Sequence, residues 1–166
     1  MILIGIGGNL PGPFGPPRVG LPQALKALEE GGARLAACSP WYGAHAVPRS
    51  EQPDFVNAVA SIETGLSPLD LLALMQAVEV SFGRVRGTLN APRTLDLDLL
   101  AYADVCQAND ANDAKNLELP HPRLHLRAFV LRPLCDIAPD WRHPVLNQTA
   151  SALLQALPPP HGVWRL

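Results

Sequence analysis

The 166-residue sequence predicts an α+β fold: a largely antiparallel sheet packed with helices in one domain. Three observations predict it. Segments with the two-residue period of a strand and segments with the 3.6-residue period of a helix run in the order strand, helix, strands, helix, strand, helices. Several strand segments follow one another with no helix between them, as antiparallel neighbours can. No repeat or linker divides the chain, and its length suffices for one domain with a substantial core.

The elements follow in order. ILIGIG (2–7) is a short apolar run closed by glycine and proline, the pattern of a buried strand. Residues 7–20 carry Pro11, Pro13, Pro16 and Pro17 and are expected to form a long loop. LPQALKALEEGG predicts a helix with Pro22 near its first turn and a glycine stop at Gly31. ARLAACSPWYGAHAV reads as extended chain broken near Pro40, and FVNAVASIET (55–64) as an alternating strand. Val56, Ala58, Ala60 and Ile62 share one of its faces; Phe55, Asn57, Val59 and Ser61 share the other.

SPLDLLALMQAVEVSFG predicts the best-marked helix, with Ser67 as N-cap, Pro68 at N1, Asp70 at N3 and Gly83 past the end. Its buried stripe is Leu71, Leu72, Met75, Val78 and Phe82, and Gln76 and Glu79 lie together near its end. A basic loop, RVRGTLNAP, leads into a strand over APRTLDLDLLAY. The polar stretch 103–116 is expected as a loop. A turn at Pro120 and Pro122 then precedes a helix to about Cys135, and Asn147 or Thr149 caps a last helix.

Composition narrows the function classes. A net charge of −2 and 5% aromatic residues oppose a nucleic-acid-binding module, which needs a basic face and exposed rings. Eleven of the 13 basic residues are arginine, since Lys26 and Lys115 are the only lysines. Arginine binds phosphate bidentately, and a codon preference accounts for the same bias. Cys38, Cys106 and Cys135 show no CxxC spacing, so a reducing compartment is expected. The opening MILIGIGGNL lacks a basic n-region, and its apolar part of about six residues is far shorter than a membrane span. A cytoplasmic protein is expected, with no membrane or nucleic-acid partner.

Three phosphate-site patterns compete. The P-loop is absent because no Gly-Lys pair occurs. The dinucleotide fingerprint is half met by GIGGNL, but Leu10 occupies its third glycine and the prolines beyond forbid a helix from opening there. The third pattern is TLDLDLL. On a strand, Thr94, Asp96, Asp98 and Leu100 point one way and Leu95, Leu97, Leu99 and Ala101 the other. The aspartates then project from one face with Cα atoms about 6.5–7 Å apart. Like charges that close repel unless a cation lies between them, and two carboxylates with open positions suit Mg²⁺ carrying substrate phosphates. Arg84, Arg86 and Arg93 stand where they can offset charge on a transferring group. A solvent-facing strand edge whose polar face is Asp is the other reading of the same spacing. His121 and Arg127 are read as phosphate contacts rather than as part of a zinc set.

GIGGNL, QPDFVNAV, FGRVRG, APRTLDLDLL, LPHPRLHLRAFVLRPL and IAPDW occur together, in order, over nearly the whole chain. In this the sequence resembles the 6-hydroxymethyl-7,8-dihydropterin pyrophosphokinase family of folate biosynthesis. The resemblance implies a ferredoxin-like sandwich, with ATP and a pterin alcohol as substrates. It implies two Mg²⁺ ions on Asp96 and Asp98, and Arg84 and Arg93 as catalytic phosphate ligands. An ATP site of Gln76, Glu79, Arg84, Arg86, Arg93, Leu99, His121 and Arg127 is implied as well. For the pterin it implies Asn57 as the reading amide, Phe55 and Phe129 as the flanking rings, and contacts from Ala44 and Val47. The implied reaction is in-line attack of the hydroxymethyl oxygen on the β-phosphorus of ATP, with AMP leaving. A monomer is expected.

The chain departs from the family pattern in places. Phe55 replaces a common tyrosine, and Leu126 a frequent glutamate. Leu89 and Asn90 stand where many members carry an arginine and a tryptophan, so the resemblance carries no closing role onto that loop. A catalytically impaired relative and an RNA-binding ferredoxin-like module are the alternatives.

Overall fold

The computed structural model describes residues 1–46, 50–85, 91–108, 117–159 and 161–166. Among the described residues six strands form one antiparallel sheet: β1 (Ile2–Gly8), β2 (Arg34–Cys38), β3 (Tyr42–Ala44), β4 (Phe55–Glu63), β5 (Asp96–Tyr102) and β6 (Val163–Arg165). The order is β5-β1-β4-β3-β6, with β2 beside β3 on the same edge of β4. The nine-residue β4 is long enough for both: β2 pairs its C-terminal half and β3 its N-terminal half. Between them Ser39 keeps the ladder satisfied. Its N–H donates to the Val59 carbonyl at 2.9 Å and its Oγ accepts from the Val59 N–H at 3.1 Å. That is the break expected near Pro40.

Four α-helices among the described residues cover the sheet. α1 (Pro17–Glu30) and α2 (Pro68–Ser81) bury one face, packing Leu21, Leu25, Leu28, Leu71 and Met75 against Ile4, Ile6, Ala60, Leu97 and Leu99. α3 (Ala128–Ile137) and α4 (Ala150–Ala156) bury the other, packing Val130, Leu131, Leu134 and Leu153 against Leu3, Val59 and Leu100. With both faces covered, β1 is apolar throughout instead of alternating.

α2 starts and stops where its residues require. Ser67 Oγ accepts from the Asp70 N–H at 3.2 Å and donates to Asp70 Oδ2 at 2.6 Å, and Gly83 takes φ +78° past the end. Thr149 caps α4, accepting from Ala152 N–H at 3.1 Å, while Asn147 takes φ 52° in the preceding turn.

The chain departs from expectation at four places. The loop expected over 7–20 is shorter: β1 runs to Gly8, and α1 opens at Pro17, with Pro16 as its N-cap residue. Proline at the first helical position lacks an N–H that would have no partner anyway, so Pro17 starts the helix rather than blocking it. β5 begins at Asp96, well inside the stretch APRTLDLDLLAY expected as strand, and its pairing with β1 shifts register between Leu3 and Ile4. The bulge puts Leu100 and Ala101 together in the α3/α4 core, against the strict alternation expected for Ala101. Leu72 in α2 is half-buried, whereas Glu79 is buried. β6 was not foreseen at all, because VWR is too short to show a period.

Candidate active site

A cleft of about 690 Å³ opens on the α3 side of the sheet, lined by glycines of β1, Ala44 of β3, Phe55 and Asn57 of β4 and the two aspartates of β5. That volume lies within the usual range for small-molecule sites.

Asp96 and Asp98 point into one end of it from β5. Three arginines from three segments converge on them. Arg84, just past α2, meets Asp96 Oδ1 at 2.8 Å; Arg93 meets Asp96 Oδ2 at 2.8 Å; Arg127, at the start of α3, meets Asp98 Oδ2 at 3.3 Å. Burial pushes the Asp98 carboxyl above its usual range, and the neighbouring Asp96 charge pushes it further. Burial holds the His121 imidazole below its ordinary value against the pull of Asp98. His121 is fixed by its own N–H to the Leu100 carbonyl at 2.8 Å, and its Nδ1 accepts from the Arg123 N–H at 3.1 Å.

Behind the acidic pair lies Glu79, 6% exposed. Its Oε1 accepts from the Leu97 N–H at 2.7 Å and pairs with Arg84. β5 is an edge strand, so the Leu97 N–H between the two aspartates faces away from β1; Glu79 satisfies it and holds Arg84 towards Asp96. Burial pushes the Glu79 carboxyl up to about 7, against the opposing pull of the Leu97 N–H and Arg84.

Arg93 has a second anchor. Buried Asn9 accepts from the Arg93 N–H at 2.9 Å through Oδ1, while its Nδ2 donates to the Pro53 carbonyl at 3.0 Å and to Gln52 at 3.1 Å. One amide thus ties the end of β1 to the arginine and to the segment entering β4.

The other end of the cleft holds Ala44, Phe55, Asn57 and Phe129. Asn57 is 8% exposed, and its Nδ2 has no hydrogen-bond partner among the described residues. A buried donor left unpaired costs free energy unless a ligand or water meets it. The glycines of GIGG make room here. A Cβ on Gly7 would lie 2.5 Å from Asn57 Oδ1, and one on Gly8 would lie 2.5 Å from the Thr94 carbonyl oxygen. The Arg127 guanidinium lies 5.4 Å from the Phe129 ring centroid, linking the two ends of the cleft.

The cleft therefore brings together Ala44, Phe55, Asn57, Arg84, Arg93, Asp96, Asp98, His121, Arg127 and Phe129 from the expected set. Gln76, Glu79 and Leu99 do not line it: Gln76 is half-buried on α2, Glu79 lies behind the aspartates, and Leu99 faces the α1/α2 core. Val47, Arg86, Leu89 and Asn90 lie outside the described residues. Asn9 was missed although it stands in GIGGNL, because its role depends on residues more than 40 positions away. His45, Leu157, Pro158 and His161 also line the cleft and carried no sequence signal.

As donors, the two aspartates fit a divalent cation. Both present oxygens from one strand face, and among the described residues no third His, Cys, Asp or Glu joins them in a closed cage. Such a half-set suits a hard cation that takes its remaining ligands from water and phosphate oxygens.

Sheet, cleft, acidic pair and convergent arginines define an α+β protein whose cleft joins a charged end to an end lined by two rings and an amide. Residues 3–139 match the family model for 7,8-dihydro-6-hydroxymethylpterin-pyrophosphokinase (HPPK). The chain belongs to that family. It is 42% identical over 144 residues to the 2-amino-4-hydroxy-6-hydroxymethyldihydropteridine pyrophosphokinase of Pseudomonas aeruginosa, covering 86% of this chain and 83% of that one. It is 38% identical over 154 residues to the Synechocystis protein of the same name, covering 92% and 74%. Among solved structures, a Plasmodium falciparum HPPK-DHPS triple mutant superposes with a TM-score of 0.70 at 14% identity, over 93% of this chain. This chain spans 42% of that bifunctional chain's length, and the likeness bears out the ferredoxin-like fold. Among the described residues no helix is long and apolar enough to cross a membrane.

Proposed function

We propose that this protein is a diphosphotransferase that moves pyrophosphate from ATP to the hydroxymethyl group of 6-hydroxymethyl-7,8-dihydropterin, releasing AMP, in folate synthesis. The observation that carries the reading is that one cleft holds both an acidic pair ringed by three arginines and a buried amide with an unpaired donor. Family membership supports it: two relatives that match most of this chain are named pyrophosphokinases of that pterin. An RNA-binding module leaves both cleft features without a purpose.

Asn57 would read the edge of the pterin, with Phe55 and Phe129 against its ring and Ala44 and Val47 beside it. Arg84, Arg93 and Arg127, with Arg86 and His121, would hold the triphosphate; Gln76 and Leu99, outside the cleft lining, belong to the proposed ATP side through the family resemblance alone. Asp96 and Asp98 would hold Mg²⁺, two ions in the full reading, and when bound it neutralises charge between carboxylates and phosphates. The hydroxymethyl oxygen forms a bond to the β-phosphorus as the bond from that phosphorus to the AMP oxygen breaks, and the hydroxyl proton passes to solvent. The chain's part is to align donor and acceptor and to meet developing charge with arginines already aimed. Because Glu79 does not line the cleft, we assign it the placing of Arg84 rather than contact with nucleotide. Residues 1–166 are proposed to act as one domain, as a monomer, in the cytoplasm.

The test is AMP release from ATP by the purified protein, with and without the pterin alcohol and Mg²⁺. AMP is expected only when all are present. AMP release that ignores the pterin would overturn the assignment.

A further inference from the structure

The last residues of the chain lie outside the span 3–139 that matches the family, yet they reach the ring-binding end of the cleft. β6 pairs antiparallel with β3, setting Val163 opposite Ala44, Trp164 opposite Gly43 and Arg165 opposite Tyr42, and the Leu166 N–H donates to the Trp41 carbonyl at 3.0 Å. β3 has only three residues, and β6 gives its outer edge a hydrogen-bonding partner. The Trp164 indole lies across Gly43: a Cβ there would come within 2.3 Å of the ring. The same indole sits 5.0 Å, centroid to centroid, from the His45 ring, and His45 Nδ1 meets Asp54 Oδ1 at 2.7 Å. Asp54 precedes Phe55, and Phe55 is the register partner of Ala44. Ala44, His45 and Phe55 all line the cleft, as do Leu157, Pro158 and His161 on the approach to β6.

We propose that β6, acting through Trp164, is a positioning element for the pterin end of the cleft. The indole presses on β3 from the side opposite Ala44 and steadies the His45–Asp54 contact, which sets where Ala44 and Phe55 stand. Among the described residues Trp164 is not part of the cleft lining that carries the acidic and arginine groups, so its influence is selective for the ring substrate. The proposal rests on the pyrophosphokinase reading.

The test uses the full chain and two equilibrium titrations: α,β-methylene-ATP with Mg²⁺, then the pterin alcohol in its presence. Trp164→Ala is expected to weaken the pterin by about tenfold, the scale of one lost ring contact, and to leave the nucleotide Kd within about twofold. Trp164→Phe, which keeps a ring on Gly43, is expected to restore most of the pterin affinity. Gly43→Ala displaces the indole while keeping it in the chain, and is expected to reproduce the pterin-selective defect. Should Trp164→Ala fail to fold, Gly43→Ala decides. An unchanged pterin Kd in a folded variant, or equal weakening of both ligands, overturns the proposal. Turnover by the unaltered protein checks the parent reading separately: an active protein whose Trp164→Ala variant binds the pterin normally sinks only this inference.

Discussion

Asp98 shows how a single residue here is shaped by its surroundings. Its carboxyl is held above the usual range by burial and by Asp96, and Arg127 is its closest cation among the described residues. Asp98→Ala is expected to reduce AMP formation by about a hundredfold or more while the nucleotide-independent fold, read by circular dichroism, stays intact. Near-normal turnover would remove Asp98 from the site. Glu79 belongs to the same scale and yields a pH prediction. Its folded value of about 7 lies above the ordinary 4.5, so the folded state holds that proton more tightly than the unfolded chain. The resulting stability is fully present below about pH 4.5 and is lost as pH rises through 7. Glu79→Gln keeps an acceptor for the Leu97 N–H and is expected to flatten that part of the profile by an amount on the order of 1–3 kcal/mol in urea denaturation. An identical slope in the variant would place the titration elsewhere. Loss of the carboxylate also frees Arg84, so a fall in nucleotide affinity is expected alongside.

At the scale of the element, α2 and β5 work as a pair. α2 is capped at its start by Ser67, and at its end it delivers Glu79 to the outer edge of β5 and Arg84 to the inner face. Ser67→Ala removes the acceptor for the Asp70 N–H and is expected to cost about 1 kcal/mol, seen as a lower urea midpoint with unchanged KM values. A changed KM would mean that fraying at Ser67 reaches the far end of the helix. Strand β1 contributes by what it lacks. Gly7 and Gly8 admit Asn57 and the Thr94 carbonyl to positions that any Cβ would fill. Gly7→Ala is expected to displace Asn57 and weaken the pterin more than the nucleotide, which paired binding titrations check.

Across the whole molecule, the sheet separates two cores, and the cleft opens on the α3 side. Leu131, fully buried between α3 and the sheet, supports the helix whose first residues carry Arg127 and Phe129. Leu131→Ala is expected to cost about 2–5 kcal/mol by leaving a cavity, with a matching fall in Tm. A small loss would mean that α3 settles to fill the space.

Periodicity and end signals made α2, β4 and the aspartate strand legible from the sequence, because each depends on residues close together in the chain. The one-face placement of Asp96 and Asp98 is of that kind, since a strand's alternation is local. Motifs held together over the length of the chain likewise identified the family. What the sequence could not show was set by distant partners. α1 opens through Pro17 because packing of Leu21, Leu25 and Leu28 continues what its first turn begins. Ala101 joins Leu100 because β1 imposes a bulge. Glu79 lies behind the site because an edge-strand N–H needed an acceptor, and Asn9 holds Arg93 across 84 positions of chain. The last strand exists only because β3 offers it an edge. Local chemistry determined which groups this protein carries; long-range hydrogen bonding and packing decided which of them meet.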